Sequence, residues 1–172
     1  IGNKFGFDTV NNGYMALKNV RIPRKNMLMK NSEVTEDGTF IKPTNSKLNY
    51  GTMMFIRVGL VALASRLLAK ACTVALRYSC IRRQSPINPD EPEPKIIDHF
   101  TQQNKIFPAL AKSIVYKIVS DNLINLREKI SQETDEGNLE RFPELHAVIC
   151  CLKAVCTFET RDAIEVCRLS CG

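Results

Sequence analysis

The chain has 172 residues, of which 44% are hydrophobic, and its net charge is +6. This length and composition allow one domain with a buried core, or a small domain with an appendage. The longest apolar run, residues 53–64, is interrupted by Arg57, so we expect no membrane span and no signal peptide. The basic residues lack the interleaved aromatic residues of RNA-binding domains, which excludes nucleic acid as the favoured partner.

Residues 1–47 have the pattern of strands and turns. Asn12-Gly13 and Asp37-Gly38 are tight-turn dipeptides, residues 14–22 alternate loosely between apolar and polar, and residues 39–42 predict a second short strand. Two or three strands cannot form a stable sheet alone. We therefore expect residues 1–47 to be the C-terminal end of a β-domain whose other strands lie upstream.

From residue 48 the pattern becomes helical. Three long helices are predicted at residues 49–83, 95–131 and 143–170, joined by a proline-rich loop and a polar loop, and Pro108 is expected to kink the second helix. The predicted fold class is mainly α, an antiparallel bundle of three long helices over residues 48–172, preceded by the last strands of a β-domain. Because the third helix runs to Gly172 without a cap, we expect the chain to be an internal fragment.

The polar residues within the apolar helices are the candidate site residues. On the first helix one narrow polar stripe predicts that the rest is mostly buried. Arg57 interrupts the most apolar stretch and needs either a structural carboxylate or a charged ligand as its partner. Gln103 is predicted to be a buried amide, bonded to a neighbouring helix or to a polar ligand. Its apolar stripe comprises Ile96, Phe100, Gln103, Phe107, Leu110, Ile114 and Ile118.

Arg82, Arg83 and Gln84 end the first predicted helix. Basic residues at this position complement the helix dipole, but guanidinium groups also match phosphate oxygens, and both interpretations stay open. The seven cysteines include no C-x-x-C motif, and the two histidines lie far apart in sequence. We therefore predict reduced, buried thiols and no structural zinc.

Two segments have the pattern Arg-Tyr-Ser-x-x-Arg-x-Gln, at residues 77–84, and Glu-Pro-Glu-Pro, at residues 91–94. Further segments are Asn12-Gly-Tyr14, Val20-Arg-Ile-Pro-Arg24, Asp37-Gly-Thr39, Lys47-Leu-Asn-Tyr-Gly-Thr-Met53, Thr101-Gln-Gln103, Pro143-Glu-Leu-His-Ala147 and Cys167-Arg-Leu-Ser-Cys-Gly172. Together, in this order and spacing, they resemble the peroxisomal acyl-CoA oxidases of the acyl-CoA dehydrogenase flavoenzyme superfamily. The resemblance covers essentially the whole chain, and the first two segments favour the oxidase branch.

The resemblance implies a homodimer with FAD in a cleft at the subunit interface. By position, Arg82 and Gln84 resemble the residues that hold the FAD pyrophosphate and adenosine, and Gln103 resembles a helix residue beside the same cofactor. Arg57 resembles an arginine near the acyl-CoA active site. The implied reaction desaturates a fatty acyl-CoA to a trans-2-enoyl-CoA and reduces O2 to H2O2, in peroxisomal β-oxidation.

The resemblance also implies that the catalytic base is a glutamate in a Phe-Glu-Gly-type segment beyond residue 172. No catalytic residue is therefore assigned within the chain, neither Glu159 nor Glu165. The chain alone is expected to be inactive and poorly soluble. Two alternatives stay open: an acyl-CoA dehydrogenase that passes electrons to a carrier protein, and a non-enzymatic helical interaction domain.

Overall fold

The structure, a computed structural model, describes residues 1–43, 51–86 and 88–172. The chain divides into two units, Ile1–Asn49 and Tyr50–Gly172, which are described separately below. The predicted domain boundary between residues 47 and 48 lies outside the described residues and stays a prediction.

The first unit contains a short antiparallel pair of strands, β1 (Glu33–Val34) and β2 (Phe40–Ile41), with Glu33 opposite Ile41. The turn between them contains Gly38, whose φ of 88° is a conformation that glycine adopts without strain. It is closed by a hydrogen bond of 2.9 Å from the Thr35 amide to the Thr39 carbonyl. The Asp37-Gly38 turn and the second predicted strand are therefore confirmed.

The strand predicted at residues 14–22 is wrong for the described part of the chain. Residues 14–22 form no strand, and Tyr14 and Leu17 are exposed. A strand needs a neighbouring strand to accept and donate its backbone hydrogen bonds, and local alternation of polar and apolar residues cannot supply one.

The described part of the second unit contains three α-helices, α1 (Gly51–Ser79), α2 (Phe100–Asp135) and α3 (Phe142–Leu169). A short 3-10 turn, Ile96–Asp98, precedes α2. The predicted bundle is confirmed, although α1 ends before Arg82 and α2 begins later and ends later than predicted. Helix α2 is continuous across Pro108.

Helix α1 is the central helix, because it packs more extensively against α2 and α3 than these two pack against each other. Leu68, Ile106 and Ile149, one from each helix, are fully buried in the interior of the bundle. Burying each such side chain stabilises the fold by about 1.5–3 kcal/mol.

The predicted inner face of α2 is wrong. Phe100, Phe107, Ile114 and Ile118 of the predicted stripe are all exposed, by 72%, 46%, 55% and 56%. The buried residues of α2 are Gln102, Ile106, Ala109, Ser113, Tyr116, Ser120, Leu123 and Ile130. Several of these are small, and small side chains at the contact allow helix axes to approach closely.

Helix α1 is buried on one side only. Its predicted polar stripe is exposed, but so are large apolar residues, among them Phe55, Leu67 and Val74. By length and composition alone, Met53–Ser79 could also cross a membrane. A bundle's core helix satisfies the same criterion, and the inner face of α1 packs against α2 and α3.

Candidate functional site

A polar cleft of about 320 Å³ lies at one end of the bundle, where α1 ends, α2 begins and α3 ends. Its lining includes Arg82 and Gln84 from the loop after α1, and Gln102 and Lys105 from the first turns of α2. The structure thus brings together two of the residues predicted to hold the cofactor. The N-terminus of α2, which opens on this cleft, favours negatively charged groups.

The loop that carries Arg82 and Gln84 is held by a short antiparallel ladder. The Ile96 amide donates to the Arg82 carbonyl at 2.8 Å, and the Gln84 amide donates to the Pro94 carbonyl at 3.2 Å. Arg83 does not line the cleft, and its Nη1 donates to the Glu93 carbonyl at 2.8 Å. The proline-rich loop therefore positions Arg82 and Gln84 by closing back on them.

Arg82 is held by neutral groups. Its Nη1 donates to Tyr78 Oη, its Nη2 donates to Gln84 Oε1 at 3.4 Å, and its Cζ lies 5.8 Å from the centre of the Tyr78 ring. No carboxylate of the described residues forms an ion pair with Arg82. Its positive charge is therefore available to an anion in the cleft.

The buried amide beneath the cleft is Gln102. Its Nε2 donates to Ser79 Oγ at 3.0 Å and to the Ser170 carbonyl at 2.8 Å, so that one side chain bonds to the ends of α1 and α3. The sequence reasoning missed Gln102. A signal existed, because Gln102, Ile106, Ala109 and Ser113 follow helical spacing along the inner face.

Gln103, the predicted buried amide, is only half-buried. Its Nε2 donates to the Ile97 carbonyl at 3.0 Å, so it bonds to the turn before α2 and not to a neighbouring helix. Gln103 is not among the residues that line the cleft. The prediction that Gln103 is buried is therefore wrong, whereas its predicted contact with the cofactor stays a prediction.

Arg57 lies at the other end of the bundle. Its Nη1 donates to Cys150 Sγ at 3.2 Å and lies 3.4 Å from His146 Nε2. Residue 57 is about 33 Å along α1 from residue 79, at 1.5 Å per residue. Arg57 therefore cannot contribute to the same cleft as Arg82.

Glu159 and Glu165, in the second half of α3, both bind structural partners. Tyr116 Oη donates to Glu159 Oε2 at 2.6 Å, and this bond, followed by those of Lys112, lowers the pKa of Glu159. Arg168 donates two hydrogen bonds to Glu165, and these bonds lower the pKa of Glu165. A lowered pKa makes a carboxylate a weaker base, in line with the absence of a base assignment for either residue.

A second cavity, of about 650 Å³, opens between α1 and α3. Its lining is mainly aliphatic, from Leu60, Leu63 and Leu67 of α1 and Ile164 of α3. Among the described residues no group of three His, Cys, Asp or Glu side chains could hold a metal ion. The polar cleft is thus the better candidate for a charged cofactor.

Comparisons with known proteins agree on one family. Residues 50–172 match the sequence profile described as acyl-CoA oxidase, C-alpha1 domain. Acyl-coenzyme A oxidase 1 of Drosophila melanogaster is 56% identical over all 172 residues, and peroxisomal acyl-coenzyme A oxidase 1 of Bos taurus is 51% identical. The chain spans 26% of the length of each of these two relatives.

Solved structures give the same result. The acyl-CoA oxidase-2 of Caenorhabditis elegans, bound with FAD, ascaroside-CoA and ATP, superposes with a TM-score of 0.96 at 38% identity, over 100% of this chain and 26% of that one. The acyl-CoA oxidase1 of Yarrowia lipolytica gives a TM-score of 0.91 at 34% identity, over 100% of this chain and 27% of that one. The chain belongs to the acyl-CoA oxidase family.

Proposed function

We propose that the chain forms part of an FAD-dependent acyl-CoA oxidase that acts in peroxisomal fatty acid β-oxidation. The enzyme would desaturate a fatty acyl-CoA to a trans-2-enoyl-CoA and reduce O2 to H2O2. The observation that carries this proposal is the polar cleft, where the uncompensated Arg82 stands beside Gln84 in a chain of this family. The curated relatives named peroxisomal support the location.

The side chains of the cleft fit a cofactor that carries a pyrophosphate. Arg82 supplies a planar guanidinium that can bond two phosphate oxygens, and Lys105 supplies a second positive charge. Gln84 supplies an amide that can bond a polar group of the nucleotide. FAD, when bound, supplies the acceptor for the two electrons that leave the substrate.

The residues of this chain would bind and orient, and would not take the substrate proton. Arg82 and Gln84 would hold the cofactor at the cleft, while Gln102 fixes the ends of α1 and α3 beneath them. Gln103 does not line the cleft, and its proposed contact with the same cofactor would use its amide oxygen, because its Nε2 already donates to the Ile97 carbonyl. Correct placement of cofactor and substrate is itself a large part of catalysis.

Arg57 is our candidate for binding the acyl-CoA. It is half-buried, and among the described residues its side-chain partners are an imidazole and a thiol, neither of which is a carboxylate. A half-buried guanidinium of this kind favours an electron-rich ligand group.

A homodimer with FAD at the subunit interface is part of the same proposal. Light scattering of the FAD-loaded protein tests it, because the measured mass distinguishes a dimer from a monomer.

The test of the cleft is a pair of arginine variants. In Arg82→Gln a charged hydrogen bond to phosphate is lost, which costs about 1.5–3 kcal/mol and raises the Kd for FAD by about 10- to 100-fold. Arg77→Gln, at an exposed position five residues earlier that does not line the cleft, is the control and should leave the Kd unchanged. Equal affinities of the two variants, measured by flavin fluorescence, would refute the assignment of Arg82.

A further inference from the structure

Arg57, His146 and Cys150 form a cluster between α1 and α3, at the end of the bundle opposite the polar cleft. Arg57 Nη1 donates to Cys150 Sγ at 3.2 Å, and the two ring nitrogens of His146 lie 3.8 and 4.0 Å from the same sulfur. All three residues are half-buried. The sulfur therefore has a guanidinium and an imidazole beside it and can still be reached from solvent.

The positive charge next to Cys150 is not neutralised within the described residues, where no carboxylate pairs with Arg57. Partly exposed, electropositive surroundings are those of reactive cysteines, because a neighbouring cation stabilises negative charge on the attacking sulfur. A half-buried thiol with a cationic hydrogen-bond donor therefore differs in chemistry from a thiol that only fills space.

Four of the other six cysteines supply the contrast. Cys72, Cys156 and Cys167 are buried among apolar residues, and burial raises the pKa of each, that of Cys72 to about 12. Such thiols are inert packing groups. Cys151 is exposed on the next residue of α3, but no described cation bonds to its sulfur.

We propose that Cys150 is a site of covalent modification by soft electrophiles of the α,β-unsaturated carbonyl class, and that Arg57 and His146 set its reactivity. The sulfur electron pair forms a bond to the β-carbon of the electrophile, and the π pair moves to the α-carbon. The α-carbon takes a proton from water, and the thiol proton passes to solvent through His146. The addition needs neither oxidant nor reductant, and it does not depend on the oxidase activity.

The test uses limiting N-ethylmaleimide, an electrophile of this class, on the FAD-loaded full-length protein at neutral pH. Fragment spectra of the tryptic peptide 142–153 separate Cys150 from Cys151. Because a guanidinium donates to its sulfur at 3.2 Å, Cys150 should react about tenfold faster than N-acetylcysteine, which has no such neighbour. Cys151 should react no faster than that reference, and a Cys150 rate at or below it overturns the proposal.

Variants then test the assigned cause. Arg57→Gln should abolish the enhancement at Cys150, whereas Arg66→Gln, an exposed arginine on the same helix, should leave it intact. Cys72 reports the fold, because it is fully buried and stays unlabelled while the bundle is intact. If Cys72 is labelled in Arg57→Gln, that variant is not properly folded, and His146→Gln is tested in its place. An enhancement that persists in a folded variant shows that the cluster does not set the reactivity.

Discussion

Gln102 joins the ends of three helices beneath the candidate cofactor cleft. The two groups that accept its hydrogen bonds, Ser79 Oγ and the Ser170 carbonyl, belong to residues that are 0% and 6% exposed. Water therefore cannot easily replace the amide if it is removed. Leaving buried polar groups without a partner costs more than losing an exposed hydrogen bond.

We expect Gln102→Leu to lower the stability of the bundle by about 1–3 kcal/mol, because it leaves buried acceptors unpaired. Gln103→Leu is the matched control, since it removes one half-buried bond to Ile97 and should cost about 0.5–1.5 kcal/mol. Thermal denaturation of the two variants gives the comparison. Equal losses of Tm would show that Gln102 is not the anchor described here.

Glu159 makes a pH-dependent contribution to stability. The hydrogen bond from Tyr116, and then the bond and the charge of Lys112, lower its pKa below the ordinary value of 4.5. A carboxyl group whose pKa is lower in the folded state contributes stability above its unfolded pKa, and loses it as the pH falls through its folded pKa.

We therefore expect Glu159→Gln to have a lower Tm than the parent at neutral pH, and the difference to vanish in acid below the folded pKa. Glu140→Gln, at an exposed position without a described ion pair, should show no such dependence. A Tm difference for Glu159→Gln that is the same at both pH values would contradict the account of this carboxylate.

At the scale of the element, two glycines have opposite roles. Gly137 follows α2 at a φ of 91°, its amide bonds to the Thr134 carbonyl at 3.0 Å, and the Asn138 amide bonds to the Glu133 carbonyl at 2.8 Å. This is a Schellman motif, which ends the helix. Gly59 lies inside α1, where an added Cβ would meet, apart from the helix's own nearby backbone, no atom of the described residues within 4 Å.

Alanine should therefore have opposite effects at the two positions. Gly137→Ala forces an L-residue into the left-handed region and should cost about 1–2 kcal/mol. Gly59→Ala removes a flexible residue from a helix interior and should add about 0.5–1 kcal/mol. Chemical denaturation measures both changes, and shifts of the same sign would be incompatible with this explanation.

The helices could be predicted from sequence, but their inner faces could not. Periodicity and proline placement located α1, α2 and α3 to within a few residues, because these signals are local. The larger apolar residues of α2 suggested Phe107 and Ile114 as core, yet they face outward. Which face turns inward depends on the neighbouring helix, and both faces of α2 carry apolar residues.

The same reasoning explains the outcome at the site. Arg82 and Gln84 could be found because they follow a helix end and match the segment of a known family. Gln102 and Gln103 are adjacent, but neighbouring residues on a helix point about 100° apart. Because the predicted inner face was wrong by one residue, the prediction named Gln103, which is half-buried, in place of Gln102, which is buried.

At the scale of the whole molecule, the exposed apolar surface agrees with the chain's place in a larger assembly. Phe55 and Val74 of α1, Phe107 and Ile118 of α2, and Phe158 of α3 are each between 46% and 65% exposed. The family relatives are about four times as long as the chain, by its 26% coverage of them. We expect other parts of the proposed oxidase subunit, or its dimer partner, to cover these faces.

The proposed function is tested most directly by anaerobic titration of the purified full-length, FAD-loaded protein with a fatty acyl-CoA. We predict that the acyl-CoA bleaches the flavin absorbance, and that admitted O2 restores it with one H2O2 formed for each enoyl-CoA. Bleaching that only an electron-carrier protein reverses would identify a dehydrogenase instead. A protein that binds FAD but shows no bleaching with any fatty acyl-CoA would contradict the proposed activity.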